Sequence, residues 1–318
     1  MKAGIVGLGL IGGSLLRGLA GAAATDVTGF DADPAVRAAA AAEGFAVTHD
    51  LAALADRELV VVAVPPQRTA EVVAAVLAAA PGAVVADTAS VKEAVLAALP
   101  ADAVGRVVGA HPLAGSETSG WSASSAELVA GAVWAVCPAG ASAPVEPLCR
   151  LGALVDALDG RLVACTAREH DEAVAATSHV PHLTALALAV QVADPLRAAL
   201  SGPGLRDGTR IARADPALWA DILMRNRAQV VVALDALAGV LAECRAALEA
   251  GDGERIAEMW DGAREDLRAL DGLRWSEPAW RDEGIEGGWA GLLDLGRAGR
   301  AVRRLRAADG TLRAEVAR

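Results

Sequence analysis

His111 opens the segment His111-Pro112-Leu113-Ala114-Gly115-Ser116-Glu117-Thr118-Ser119-Gly120, directly after the apolar run Arg106–Ala110. An imidazole with an ordinary pKa near 6.5 can take a proton from an alcohol at neutral pH while hydride leaves the same carbon. In a polar, glycine-punctuated loop at a strand's end it can also reach a ligand; the plainer alternative is a hydrogen-bonded loop histidine. His179 and His182 share one helix face and flank Pro181, which suits the polar lining of a cleft. No acid or cysteine is spaced to complete a ligand set with them, so no metal is expected. His49 and His170 have no comparable context and read as surface residues. Arg210 and Arg213 fall in Gly202–Arg213, which reads as a glycine-rich loop before the long helix, where a guanidinium suits a carboxylate-bearing ligand or caps a neighbouring helix.

Gly7-Leu8-Gly9-Leu10-Ile11-Gly12 matches G-x-G-x-x-G, preceded by a strand pattern and followed by a helical one. In that setting Gly7 makes the turn, Gly9 admits a pyrophosphate to the backbone, and Gly12 lets the helix pack closely on the sheet. Asp31 stands about 20 residues on, at the end of the next strand pattern, where it would accept the ribose hydroxyls and repel a 2′-phosphate. NAD is therefore expected over NADP, with nearby Arg37 as the opposing feature. Ala63-Val64-Pro65-Pro66 and Asp87-Thr88-Ala89-Ser90 sit at the carboxyl ends of two further strand patterns, where such folds bind ligands or simply turn the chain.

These residues need a scaffold, and the chain alternates strand and helix to supply one. Strands are expected at Ala3–Val6, Val27–Asp31, Leu59–Val64, Ala83–Asp87, Arg106–Ala110 and Ala132–Val136, with alanine-rich helices between them. That alternation predicts an α/β, Rossmann-like doubly wound nucleotide-binding domain over 1–165 with a mixed edge. After Cys165 the strands are expected to stop. Thr166-Ala167-Arg168-Glu169 reads as a capping box opening a helix kinked at Pro181. Asp215-Pro216 opens a helix running to Gly251, roughly 35 residues and about 50 Å. Its length favours packing against a second copy, so 166–282 is expected to be an all-helical dimerisation domain. The stretch 283–318, with Arg303-Arg304-Leu305-Arg306, reads as a solvated helical face or loose tail with no regulatory domain.

Composition limits the partners. With 318 residues, 54% hydrophobic and net charge −11, the chain can bury two cores and offers no general grip on nucleic acid. An anionic ligand needs a local arginine, and arginine dominates: Lys2 and Lys92 are the only lysines. The 4 cysteines lie far apart, which fits a reducing cytoplasm, and no signal peptide or membrane span is expected.

Taken in order, His111–Glu117, Ser178-His179-Val180-Pro181-His182, Thr209-Arg210-Ile211-Ala212 and Asp215–Trp219, with the glycine fingerprint, resemble the prephenate dehydrogenase family over Lys2–Leu273. The family includes arogenate dehydrogenases. The resemblance implies NAD-dependent oxidative decarboxylation of prephenate to 4-hydroxyphenylpyruvate in tyrosine biosynthesis, by a homodimer joined through the helical domain. It implies that His111 is the general base, held by Ser90, and that Arg210 binds a substrate carboxylate. His182, Glu117, Ser116 and Trp219 would line the substrate pocket, with His179 a further candidate; Gly7, Gly9, Leu10, Ile11, Gly12, Asp31, Val64 and Pro65 would hold NAD. The family often has glycine where Pro203 stands. Any tyrosine feedback would act at the active site, since the chain starts at its first strand and leaves too little after Leu273 for another domain. Three rivals remain: an arogenate dehydrogenase; a β-hydroxyacid-type dehydrogenase, which needs a lysine that the helical half lacks; and an NAD-binding regulator without turnover.

Overall fold

The computed structural model describes residues 1–23, 25–116, 118–140, 143–274, 278–308 and 311–317. The expected strands and helices form in order, with two strands that were not expected, β3 and β8: β1 (Lys2–Val6), α1 (Leu10–Ala20), β2 (Asp26–Phe30), α2 (Pro34–Ala42), β3 (Val47–Thr48), β4 (Leu59–Val62), α3 (Pro66–Ala79), β5 (Val84–Asp87), α4 (Glu93–Ala97), β6 (Val107–Pro112), β7 (Val133–Pro138), α5 (Glu146–Asp156) and β8 (Arg161–Ala164). Apolar runs such as Leu59-Val60-Val61-Val62 are wholly buried because helices cover both sheet faces. Strand order is β3-β2-β1-β4-β5-β6-β7-β8, parallel up to β6, with β7 antiparallel to β6 as the mixed edge predicts. The order reverses between β1 and β4, so a crevice opens beyond their carboxyl ends.

The helical part departs from expectation in three places. The capping box forms as read, and α6 (Ala167–Val174) starts on Thr166 and Glu169. The kink is not a simple proline break: Ala175–His179 winds as a π-turn before α7 (Val180–Val190), which accommodates the carbonyl that Pro181 cannot serve. Next, Gly202–Arg213 is not a loop. Asp194 caps α8 (Pro195–Ala199), and Pro203 occupies the first turn of α9 (Pro203–Thr209), which continues into a 3₁₀ turn over Arg210–Arg213. Finally, the single long helix is two, α10 (Pro216–Arg225) and α11 (Arg227–Ala250), broken at the buried Asn226. Gly251, in the left-handed region, ends α11, and α12 (Gly253–Arg274) follows. By length and composition Ala167–Val190 could cross a membrane, yet it carries the buried His170, Asp171 and His179.

The C-terminal stretch is neither a loose tail nor a solvated helical face. It folds as β9 (Trp280–Ile285), α13 (Trp289–Arg297), β10 (Val302–Ala308) and β11 (Thr311–Ala317), extending the sheet as β8-β10-β11-β9. Leu292, Val302, Leu305, Leu312 and Val316 join the same core as β1 and α5, while the arginines pair outward with Asp282 and Glu315. Strands therefore do not stop at Cys165.

Candidate active site

The dinucleotide cradle is built from backbone. Gly7 sits at φ +90, and a Cβ on it would lie 2.5 Å from the Ala63 carbonyl oxygen; one on Gly12 would lie 1.8 Å from the Gly7 carbonyl oxygen. The turn after β1, the end of β4 and α1 are thus in contact that only glycine allows. Gly9, at the α1 N-cap, faces open space, and the first turn of α1 holds no acid. The amides of Leu10 and Ile11 are left for an anion, and their positive end of the helix favours one. Asp31 braces this turn: its Oδ2 accepts from Leu8 N at 2.7 Å and its Oδ1 from Asp33 N at 2.9 Å. Each oxygen keeps a second lone pair for a ribose hydroxyl. Arg37 donates to the Asp31 and Ala32 carbonyls at 2.6 and 3.0 Å, so its guanidinium is engaged on the backbone. The residues present fit a dinucleotide.

A cavity of about 520 Å³ runs from this helix end into the helical half. Leu10, Ile11, Ser90, His111, Ser116, His179, His182, Arg210 and Trp219 line it together. Gly7, Gly9, Gly12, Asp31, Val64 and Pro65 do not line it but stand past the carboxyl ends of β1, β2 and β4 and in the turn into α1 and the first turn of that helix, and Glu117 lies outside the described residues. Lys92 is fully buried against Asp87 and does not line the cavity, so the lysine of a β-hydroxyacid-type enzyme is not supplied there.

His111 falls within the end of β6, opposite Ala135 of β7. Ser90 shares its cavity, but among the described residues no hydrogen bond joins the two. The imidazole is held by His170: His111 Nδ1 and His170 Nε2 are 2.9 Å apart. His170 is thus no surface residue. It is 2% exposed, and its Nδ1 lies 2.7 Å from Asp171 Oδ1. Asp171 further accepts from Lys92 N and Glu93 N at 2.8 and 2.9 Å. Burial opposes its charge, but the His170 bond and both amides outweigh burial and hold its carboxyl below the usual range. His111 is pushed well below the ordinary histidine value by burial first, then by His170, Lys92 and His179. It is a neutral imidazole at neutral pH, as a base must be. Sequence reasoning missed His170, Asp171 and Asn226; the one available signal was a His-Asp pair one turn into a capped helix.

The other two cavity histidines are oriented by their partners. The Asn226 amide donates to the Asp171 carbonyl at 2.8 Å and to His179 Nδ1 at 3.1 Å, so His179 presents its protonated Nε2. Burial lowers the His179 pKa to about 4. His182 Nδ1 donates to the Ser178 carbonyl at 2.8 Å, and its ring stacks on Trp219 with centroids 3.5 Å apart. Burial is again the largest influence lowering its pKa, with Arg210 adding to it. His49 is exposed, as read.

A glycine cradle at a sheet's switch point, joined by one cavity to a neutral, backed histidine, defines an NAD-dependent dehydrogenase. Comparison with known proteins narrows the class. Residues 20–164 match the prephenate dehydrogenase nucleotide-binding domain and residues 166–261 the prephenate dehydrogenase dimerization domain. The chain belongs to the prephenate dehydrogenase family. A cyclohexadienyl dehydrogenase of Zymomonas mobilis is 33% identical over 281 residues, covering 84% of this chain and 94% of the relative. A candidate prephenate dehydrogenase of Corynebacterium glutamicum, at 32% identity, superposes with a TM-score of 0.84 over 93% of this chain and 96% of its own. The Aquifex aeolicus prephenate dehydrogenase, solved with hydroxyphenyl propionate and NAD+, is 25% identical with a TM-score of 0.77, over 85% and 98% of the two chains.

Proposed function

We propose that the chain is a prephenate dehydrogenase, forming 4-hydroxyphenylpyruvate and CO2 for tyrosine biosynthesis. The observation that carries this reading is the shared cavity of His111 and Arg210, opening on the end of α1. Bound NAD+ supplies the hydride acceptor, held by Gly7, Gly9, Leu10, Ile11, Gly12, Asp31, Val64 and Pro65. His111 takes the proton of the ring hydroxyl through Nε2, with Ser90 beside the reacting carbon. Arg210 pairs with the side-chain carboxylate, and Trp219, His182, His179, Ser116 and Glu117 line the rest. As the ring carboxylate departs as CO2, its bonding electrons complete the aromatic ring and the former carbonyl oxygen, now a phenolate, takes back the proton held on His111. Aromatisation drives the reaction, so the protein's share is to position groups and carry developing charge. We also assign 1–165 to the dinucleotide, 166–282 to substrate and to a homodimer contact, and the enzyme to the cytoplasm. Exposed Leu186, Val190, Val232, Leu241 and Leu248 on α7 and α11 support that contact.

One feature favours arogenate instead. A neutral His182 that donates through Nδ1 leaves Nε2 bare, and a bare nitrogen beside Arg210 accepts from an ammonium but not from a keto oxygen. Formation of reduced cofactor from prephenate and from arogenate, each with NAD+ and NADP+, separates the readings by kcat/KM. The expected order is prephenate over arogenate and NAD+ over NADP+. Preference for arogenate replaces the substrate, and turnover of neither leaves an NAD-binding regulator.

A further inference from the structure

We infer that His170 and Asp171 are positioning residues that set the tautomer of His111, leaving Nε2 as its bare nitrogen and sharing the charge it acquires. The inference rests on His111 being the base. It begins at Asp171, an ionised carboxylate that can only accept. Its Oδ1 therefore receives a proton from His170 Nδ1 as well as the Lys92 amide. A neutral His170 then has a bare Nε2. That atom lies 2.9 Å from His111 Nδ1, and two bare nitrogens at this distance repel, so His111 Nδ1 must carry the proton. Only Nε2 of His111 is left to accept. Doubly protonated His170 would reverse this, turning His111 into the tautomer that cannot act as base. Burial at 2% exposure, with Lys92 adding to it, outweighs the pull of Asp171 and Asp87 and disfavours that charge.

The arrangement is fixed from several elements. Asp171 on α6 holds the amides that open α4, and Asn226, between α10 and α11, holds the Asp171 carbonyl. His111 comes from β6, with its ring edge-on to that of His170 at 68°. When Nε2 takes the substrate proton, the resulting imidazolium already donates to His170. Asp171 stabilises the charge through that ring, and no second proton need move. The logic is that of the aspartate behind a serine-protease histidine, reached here through one more imidazole.

Ring nitrogen–proton correlation spectra of ¹⁵N-histidine-labelled enzyme test it, with His111→Asn identifying the signal. The expected wild-type spectrum has His111 protonated at Nδ1 and bare at Nε2; the opposite tautomer overturns the inference whatever the kinetics show. Asp171→Ala removes the acceptor that fixes His170, so His111 should no longer hold a single tautomer and kcat should fall about a hundredfold or more, with the NAD+ Kd and substrate KM within about threefold. Because Asp171 also caps α4, His170 is varied as a second arm. His170→Gln keeps an acceptor for His111 Nδ1 and should lose about tenfold or less in kcat; His170→Phe, with none, should lose as much as Asp171→Ala. Equal loss in both His170 variants, or KM rising with kcat intact, overturns the positioning role. Near-normal turnover of His111→Asn would instead remove the base, leaving the measured tautomer standing on its own.

Discussion

A general base contributes roughly two to four orders of magnitude in rate, so His111→Asn should lower kcat at least about a hundredfold. The NAD+ Kd should stay nearly unchanged, since the cradle lies around Gly9 and Asp31. The pH profile gives a second check. Burial with His170, Lys92 and His179 lowers the His111 pKa, so the base form persists below the ordinary histidine range. kcat/KM at saturating NAD+ should hold level as pH falls through about 6.5 and drop only further down; an acidic limb at or above that value would contradict the burial argument. At this scale the sequence disclosed some residues and hid others. His111 was legible because a strand end and a glycine-punctuated loop locate it without knowledge of the partner. His170 was not, because Arg168, Glu169, Asp171 and Glu172 around it make a polar helix turn look solvated. What buries it is β6, 59 residues away in the chain. Ser90, read as the residue holding His111, lines the cavity without that bond.

Among elements, those dictated by local chemistry were readable and those dictated by contact were not. The capping box, the Asp215 cap with Pro216 and the left-handed Gly251 all formed where the residues demanded. The break at Asn226 did not announce itself, because the apolar spacing continues through it. It exists because the amide is more valuable facing Asp171 and His179 than solvent. The glycines of the cradle show the same division and can be tested against each other. Gly12→Ala places a methyl against a backbone oxygen, so α1 or the turn must shift; Tm should fall and the NADH Kd weaken by about tenfold or more. Gly9→Ala meets nothing in the protein, so Tm should stay within a degree or two while the methyl intrudes where the pyrophosphate approaches. Fluorescence titration with NADH beside thermal melts separates these outcomes. A Gly9→Ala protein that binds NADH normally would mean the cradle is not the dinucleotide site.

At the scale of the molecule, the C-terminal strands are part of the main core. Arginine-rich alternation concealed them: in Arg303-Arg304-Leu305-Arg306 the single leucine is buried, and its cationic neighbours pair with Glu315 and Asp282 across the sheet. Removing 280–318 would uncover β8 as an edge and withdraw Ile285, Leu292, Val302, Leu305, Leu312 and Val316 from the core. At about 2 kcal/mol per buried side chain the loss is on the order of 10 kcal/mol, comparable to the whole stability of a domain. The truncated chain should therefore aggregate, as exposed edge strands do. A gentler variant isolates the role of this extension. Leu305→Ala should cost about 2–5 kcal/mol and lower Tm. It should leave kcat within about twofold, because β7 and β8 separate β10 from the β6 strand that carries His111. Stability then falls while catalysis persists. A Leu305→Ala enzyme with unchanged Tm and reduced kcat would reverse that assignment, making the extension a partner of the active site rather than a brace for the sheet.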